Sequence, residues 1–465
     1  MMELPESFLL RMRGLLGERF DEFLACYDRP NERGLRINTL KLPLDGSGAL
    51  SALLGLPLEP VPFAREGFRV TDPDAHPGLS PWHHAGAYYM QEPAAMSAVT
   101  ALDPQPGERV LDMCAAPGGK TTQTAARMGN TGLLWANEYV RSRTQPLLSN
   151  IERLGLRNTV VSSLHPDRIA DALEGCFDRV LVDAPCSGEG MFRRDPVAIS
   201  EWSPEHVRTC AARQAGILDS AARCVAEGGV LVYSTCTFAP EENEQTVVSF
   251  LERHEDFYIE PIAEQFGSSG LSVDDRYDTT LARRIYPMDG GEGHFVVRMR
   301  RRGDASSVSR RGTAAAPSPP PADVLKQTMA LFEECFTGLP DNIADRLTIA
   351  GDQLFLLPEG WFGSGGLPVV RGGVHVGTVK RSGRSCRIEP AHALFCAMQP
   401  RQCRNIRNLE PDSPLLSAFL RGEQLDVEGQ QNGWCAVACG GVICGFGKCT
   451  DGALKNKYPK GLRHG

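Results

Sequence analysis

The chain has 465 residues, of which 42% are hydrophobic and 23% charged, and it carries a formal net charge of −8. That length suits two or three domains, and the acidic balance provides no overall basic footprint for nucleic acid, so any such contact must come from local patches. No apolar run approaches membrane-spanning length, and arginines interrupt the apolar residues of "MMELPESFLLRMRGLL", unlike a secretory signal; a cytoplasmic protein is expected.

Residues 1–75 read as a small N-terminal region. Helical spacing of Phe8, Leu9, Met12 and Leu16 predicts a helix within Leu4–Tyr27, and Arg33–Leu42 alternates like a strand. From 76 to 302, strands alternate with helices. The strand candidates are Arg109–Met113, Leu133–Asn137, Thr159–Ser163, Arg179–Val182, Val230–Ser234, Phe257–Pro261 and Phe295–Arg300; the clearest helices are Glu205–Cys224 and Glu241–His254. Such alternation predicts an α/β unit with a mostly parallel seven-stranded sheet covered by helices on both faces. Residues 303–322, within "RRGDASSVSRRGTAAAPSPPPA", have a linker composition. The last region, 323–465, opens with a helix ("DVLKQTMALFEECF") and continues as short strands with glycine turns. It ends in the basic "KCTDGALKNKYPKGLRHG" and is expected to bind RNA as a separate unit. Fifteen scattered cysteines without a secretion signal do not suggest a disulfide framework. In "WCAVACGGVICGFGKC" a period of two puts Cys435, Val437 and Cys439 on one strand face, which reads as core packing of Cys435, Cys439, Cys444 and Cys449 and not as a metal site.

In an open parallel sheet, ligands bind beyond the carboxyl ends of the strands. After the first strand comes "LDMCAAPGGKTT". A Walker loop would need glycine where Cys114 stands, and the G-x-G-x-x-G pattern is missing too. A strand, a tight Pro117-Gly118-Gly119 turn and a helix start near Lys120 suit a cofactor with a ribose and a carboxylate or amine, such as S-adenosylmethionine; an ordinary strand-to-helix turn is the alternative. Glu138 follows the second strand, where an acid can bind ribose hydroxyls. Asp183 and Cys186 follow the fourth, in "DAPCSGEG", and Cys236 follows the fifth, in "STCTF". Two cysteines and two acids thus share one rim. Carbon 5 of cytosine does not attack a sulfonium methyl unaided, but a thiolate adding at carbon 6 makes it enamine-like. A carboxyl such as Asp183 can hold the N3/N4 edge, and the base must leave its stack to reach the rim.

The motifs "LDMCAAPGGKTTQ", "VDAPCSGEGMFRRDP" and "VYSTCTFAPEENE", in this order, resemble the NOL1/NOP2/Sun family of RNA cytosine-5 methyltransferases, as does "HHAGAYYMQEPAAM" at the entry to the catalytic region. The tail "ALKNKYPKGLR" and the strand-rich third region resemble the bacterial branch acting on 16S ribosomal RNA. The resemblance implies a Rossmann-like S-adenosylmethionine-dependent methyltransferase domain at 76–302. It also implies a small N-terminal RNA-binding region at 1–75 and a PUA-like RNA-binding domain at 323–465. By the same resemblance its partner is 16S ribosomal RNA or the small ribosomal subunit, and a monomer is expected; a transfer RNA substrate, or a catalytically silent assembly factor, is the alternative. Carried onto this sequence, Cys236 matches the nucleophile and Cys186 the second cysteine, which assists release. Cys114, Ala115, Ala116, Pro117, Gly118, Gly119, Lys120 and Glu138 match cofactor-binding positions, as does Asp183, which also faces the target base. The sequence departs from the family pattern after the third strand, where an adenine-binding acid is common: here stands "SSLHPDRI", with His165 and then Asp167.

Overall fold

A computed structural model describes residues 4–304, 318–383 and 385–463; most of the linker expected at 303–322 lies outside the described residues. Short Val/Leu-rich runs form a central sheet. Its strands and helices, in chain order, are β1 (Arg109–Asp112), α1 (Gly119–Arg127), β2 (Leu133–Asn137), α2 (Thr144–Leu154), β3 (Thr159–Ser162), α3 (Pro166–Ala172), β4 (Phe177–Asp183), α4 (Pro204–Cys224), β5 (Val225–Thr235), α5 (Glu244–Arg253), β6 (Phe257–Glu260), β7 (His294–Arg301) and β8 (Val369–Gly372). Strands β1 to β5 are parallel, in the order β3-β2-β1-β4-β5. Val110, Leu111, Leu134, Trp135, Val180 and Leu181 are fully buried, as a sheet covered on both faces requires. β1 pairs with β2 on one side and β4 on the other, so the strand order reverses there; this switch point is where open α/β sheets bind ligands.

All seven expected strands are present and the fold class holds, but the sheet has ten strands and is mixed. β7 runs antiparallel to β5. Its outer edge is shared by β6 and by Arg283–Ile285, with Ser268–Ser269 beyond. At the opposite edge β8 pairs antiparallel with β3. An open edge exposes a row of unpaired N–H and C=O groups, and a segment far downstream in the chain takes up that of β3.

Residues 323–465 are therefore not set apart from the rest. Trp361 stacks on Trp135, their ring centroids 6.3 Å apart. Phe362 and Leu367 join the core formed by Phe177, Val180 and Val182. A four-stranded N-terminal sheet, ordered Leu58–Pro60, Gly67–Val70, Gly34–Ile37, Tyr88–Met90, shares another core with a five-stranded C-terminal sheet. There Leu35, Ile37, Trp82 and Tyr88 pack with Leu416, Phe419, Cys435, Val437 and Cys439. The alternation is visible in the packing: Ala436, between those cysteines, faces the other way, onto Leu331 and Phe332. Cys435, Cys439, Cys444 and Cys449 are buried free thiols.

The helix expected within Leu4–Tyr27 is interrupted: Gly17, at φ 54°, ends Glu6–Leu16, and a second helix spans Phe20–Ala25. The strand expected over Arg33–Leu42 stops at Ile37, because Asn38 turns the chain; its side-chain amide donates to the carbonyls of Gly86 (2.8 Å) and Leu154 (2.9 Å). Phe8 and Met12, four residues apart on one helix face, pack with Phe192, Trp202 and Phe238 next to the rim of the sheet. Among the described residues no helix is long and apolar enough to cross a membrane.

Candidate active site

The loop after β1 is pinned between its neighbours. Met113 N–H donates to Leu181 O at 2.9 Å and Ala115 N–H to Asn137 O at 2.8 Å. Gly118 has φ 112°, and a Cβ there would lie 3.2 Å from Leu147, so glycine is what the turn admits. Asn150 donates to Pro117 O at 2.9 Å and Arg143 to Ala116 O at 3.0 Å. From the N-terminal sheet, fully buried Arg36 donates to Thr122 Oγ1 at 2.7 Å and Gly119 O at 3.3 Å, clamping the start of α1. Glu138, directly after β2, is buried; its Oε1 accepts from Val140 N–H at 2.8 Å and its Oε2 lies 3.6 Å from Arg143. Beside it, exposed Tyr139 meets the His165 ring edge-on at 5.5 Å. His165 caps α3, and Asp167 accepts from Ser220 on α4.

Lys120 Nζ lies 2.7 Å from Asp183 Oδ2, and Ser234 Oγ donates to Asp183 Oδ1 at 2.9 Å. Burial disfavours both charges, but each partner's opposite charge prevails, holding Asp183 below the usual carboxylate range and raising Lys120. At the start of β7, buried His294 is pushed down to about 3, first by burial and then by the charge of Lys120, so it is neutral. Asp112, at the end of β1, is pushed up to about 7 by burial; Thr121 donates to its Oδ2 at 2.7 Å, while its buried Oδ1 has no partner among the described residues.

Asp112 makes stability depend on pH. Its folded-state pKa lies above the unfolded one, so the folded chain binds the proton more tightly. Stability therefore falls as pH rises from about 4 to about 7. Asp112→Asn should flatten this slope, read as melting temperature against pH. Superimposable curves for the two proteins would refute the assignment.

Cys186 and Cys236 come from loops after β4 and β5, which are adjacent strands: Ala184 N–H donates to Ser234 O at 2.9 Å. Their Sγ atoms stand 3.2 Å apart, both thiols free and part-exposed. Contact with Cys236 and then burial push the Cys186 thiol well up, so it keeps its proton. Behind the loops, Glu242 accepts from Ser187 N–H at 2.9 Å, from the Ser187 hydroxyl, and from Gln214 at 2.8 Å. Glu189 accepts from Phe238 N–H at 2.9 Å, Trp202 Nε1 at 2.8 Å, and Arg11. Gly190 N–H donates to Cys236 O at 2.8 Å; a Cβ on Gly190 would come within 3.0 Å of that oxygen, so glycine permits the close approach.

The rim thus brings together Cys186 with Cys236 and Lys120 with Asp183, between the Cys114–Gly119 turn and the second thiol loop. Glu138 stands at the end of the next strand, tied to the turn through Arg143. His165 and Asp167 lie further out. Sequence reasoning missed Asp112, Glu189, Glu242, Gln214, Arg11 and His294. A signal existed for Glu242: "PEENE" gathers three acids at the start of an amphipathic helix, and the structure buries two of them, Glu242 and Glu244.

Four family models match the chain: "N-terminal domain of 16S rRNA methyltransferase RsmF" over residues 4–93, "16S rRNA methyltransferase RsmB/F" over 99–300, "RsmF rRNA methyltransferase first C-terminal domain" over 332–398, and "Methyltransferase RsmF PUA domain" over 406–464. The chain is 34% identical over 472 residues to Ribosomal RNA small subunit methyltransferase F of Klebsiella pneumoniae (strain 342), covering 98% of this chain and 96% of that protein. It is 41% identical over 305 residues to the protein of the same name from Salmonella agona (strain SL483), covering 64% and 63%. Among solved structures, a methyltransferase homolog protein from Pyrococcus horikoshii is 31% identical with a TM-score of 0.58, covering 64% of this chain and 96% of that one. NSun6 from Pyrococcus horikoshii, solved with SFG, shares the fold at 22% identity, with a TM-score of 0.55 and coverage of 64% and 99%.

Proposed function

Because the chain belongs to the RsmB/F family of 16S rRNA methyltransferases, we propose that it methylates carbon 5 of a cytosine in 16S ribosomal RNA, using S-adenosylmethionine and two cysteines. The chain is a ribosomal RNA methyltransferase with an S-adenosylmethionine-dependent methyltransferase fold. The finer reading rests on one observation above all: two free thiols 3.2 Å apart, on neighbouring loops at the switch-point rim.

The residues present suit the cofactor. Glu138 offers a carboxylate for ribose hydroxyls, the Cys114–Gly119 turn brings backbone to the rim, Lys120 and Asp183 bracket its inner side, and Asp112 Oδ1 is a buried acceptor without a partner among the described residues. S-adenosylmethionine, when bound, supplies the electrophilic methyl group. Cys236, its proton given up to solvent, adds as thiolate to carbon 6, and Asp183, kept ionised by Lys120, accepts from the N4 amino group at the N3/N4 edge. Cys186 meanwhile holds its proton against the Cys236 sulfur. Once that sulfur carries carbon, it no longer pairs with Cys186 as a thiol. Cys186 can then release its own proton to solvent and accept the one on carbon 5. The carbon 5–carbon 6 double bond re-forms and Cys236 departs as thiolate, a covalent route that divides one hard step into easier ones.

Transfer of tritium from labelled S-adenosylmethionine into 16S ribosomal RNA, mapped by bisulfite sequencing, tests the reading; label at any position other than a cytosine carbon 5 would overturn it. Glu138→Ala should weaken cofactor binding by roughly tenfold, the scale of one charge-assisted hydrogen bond. Because Glu138 also accepts from Val140 N–H, Glu138→Gln, which preserves an acceptor there, is the control. Unchanged affinity by calorimetry in both variants would remove Glu138 from the cofactor site.

A further inference from the structure

Glu189 stands three residues past Cys186 and is fully buried. Its Oε2 accepts from the N–H of Phe238, two residues past Cys236, and its neighbour Gly190 donates its own N–H to the Cys236 carbonyl. One thiol loop thus grips the other on both sides of Thr237. A fully buried carboxylate is costly unless a cation faces it. Among the described residues the cation paired with Glu189 is Arg11, which comes from the N-terminal helix Glu6–Leu16. Trp202 completes the set: its Nε1 donates to Glu189 Oε1 at 2.8 Å, and the Arg11 guanidinium lies 5.4 Å from its ring centroid. The same helix sets the Phe8 ring 5.0 Å from that of Phe192, and Phe8 and Met12 share a core with Phe192 and Phe238, one from each thiol loop. Glu242, the other buried carboxylate behind the loops, bonds residues of the catalytic region itself, Ser187 and Gln214. Glu189 takes its counter-charge from outside that region.

We propose that Arg11 is a positioning residue for the reaction: by neutralising Glu189 it keeps the two thiol loops braced, so that Cys186 stands within reach of the carbon that Cys236 has activated. The inference rests on the two-cysteine reading above. Without its cation the Glu189 carboxylate must recruit water or take up a proton, and either change weakens its hold on Phe238 N–H. Glu241, whose Oε2 lies 3.9 Å from Arg11, would then add repulsion. Addition to carbon 6 needs Cys236 alone, whereas removal of the carbon 5 proton needs both sulfurs together. Loosening the brace therefore slows the second half of the reaction more than the first.

The test uses the full chain and three variants: Arg11→Ala, Arg11→Gln, which keeps a donor without the charge, and Arg11→Lys, which keeps the charge. Thiol spacing is read without RNA, from the rate at which dibromobimane bridges the two sulfurs, each displacing one bromide; Cys186→Ala gives the background from the other cysteines. Arg11→Ala and Arg11→Gln should cross-link severalfold more slowly than the parent, and Arg11→Lys should recover most of the rate. In methylation, kcat of the two uncharged variants should fall by roughly ten- to a hundredfold, the scale of a misplacement of about 1 Å. KM for RNA should move by less than about twofold, because an interaction that matters only after addition leaves ground-state binding alone. A protein–RNA adduct that survives denaturation should build up in both, more weakly than in Cys186→Ala. If Arg11 serves stability alone, melting temperature falls while cross-linking and kcat, taken well below melting, match the parent and no adduct forms; that result overturns the proposal. So does an Arg11→Lys chain that cross-links no faster than Arg11→Gln. If the uncharged variants lose cross-linking but the parent methylates no cytosine, the brace stands and the two-cysteine reaction falls. If the parent methylates carbon 5 while cross-linking and kcat are unaltered in the variants, the reaction stands and the brace falls.

Discussion

Cys186→Ala should accumulate a protein–RNA adduct that survives denaturing electrophoresis, whereas Cys236→Ala should form neither adduct nor product. Without Cys236, carbon 5 is never activated, and turnover should fall by on the order of 10⁴-fold or more, the scale seen when a covalent nucleophile is removed. Without Cys186, addition and methyl transfer still occur, but no group beside the Cys236 sulfur takes the carbon 5 proton. The 3.2 Å separation is what makes this division of labour feasible, since two sulfurs that close can reach neighbouring carbons of one bound ring. The adduct should require S-adenosylmethionine and vanish in the double variant. If Cys186 merely packs beneath its loop, its substitution lowers activity without any adduct. An adduct from Cys236→Ala, and none from Cys186→Ala, would interchange the two roles.

A chain ending at Asp304 should be unstable and prone to aggregate, although the fold as such does not demand the missing part. The Pyrococcus horikoshii homolog has almost no length outside the portion it shares with this chain. Here, however, truncation would bare Trp135, strip the partner from β3, and expose Leu35, Ile37 and Tyr88 beneath the absent sheet. Lys41, which donates to the carbonyls of Ala85, Arg153 and Ile443, would lose one of its three acceptors. Each large apolar side chain left uncovered forfeits about 1.5–3 kcal/mol, and a whole domain has only about 5–15 kcal/mol in reserve. The milder change Phe362→Ala, in the shared core, should alone remove about 3–5 kcal/mol. A truncated chain that stays monodisperse with an unaltered melting temperature would defeat this account.

What could be read from the sequence was what is local. β1 to β5 announce themselves because buried parallel strands are short continuous apolar runs, and the rim residues follow because each stands just past such a run. Lys120 was legible as a helix-start residue, but its pairing with Asp183 depends on β1 lying beside β4. The approach of Cys186 to Cys236 likewise depends on the β4–β5 register. Where the partner is distant and the residues themselves carry no periodic signal, nothing local marked the contact. Arg11 reaches Glu189 across 178 positions, Arg36 reaches Thr122 across 86, and the four residues of β8 are too few to show a pattern. Composition suggested a detachable third region, since linker-like residues precede it; the cores it completes could not be seen, because each half of such a core reads as an ordinary amphipathic strand or helix.

The pairing of β8 with β3 also sets a timetable. β3 ends at Ser162 and β8 begins at Val369. At about 5–20 residues per second, a growing chain carries an uncovered β3 edge for roughly 10–40 s before its partner is even made. During that interval the nascent sheet can recruit strands from neighbouring nascent chains. Slow decoding between the two segments would lengthen the exposure, and faster decoding there would shorten it. Aggregation during synthesis should thus respond to synonymous codon changes between positions 162 and 369, which alter no residue of the finished enzyme.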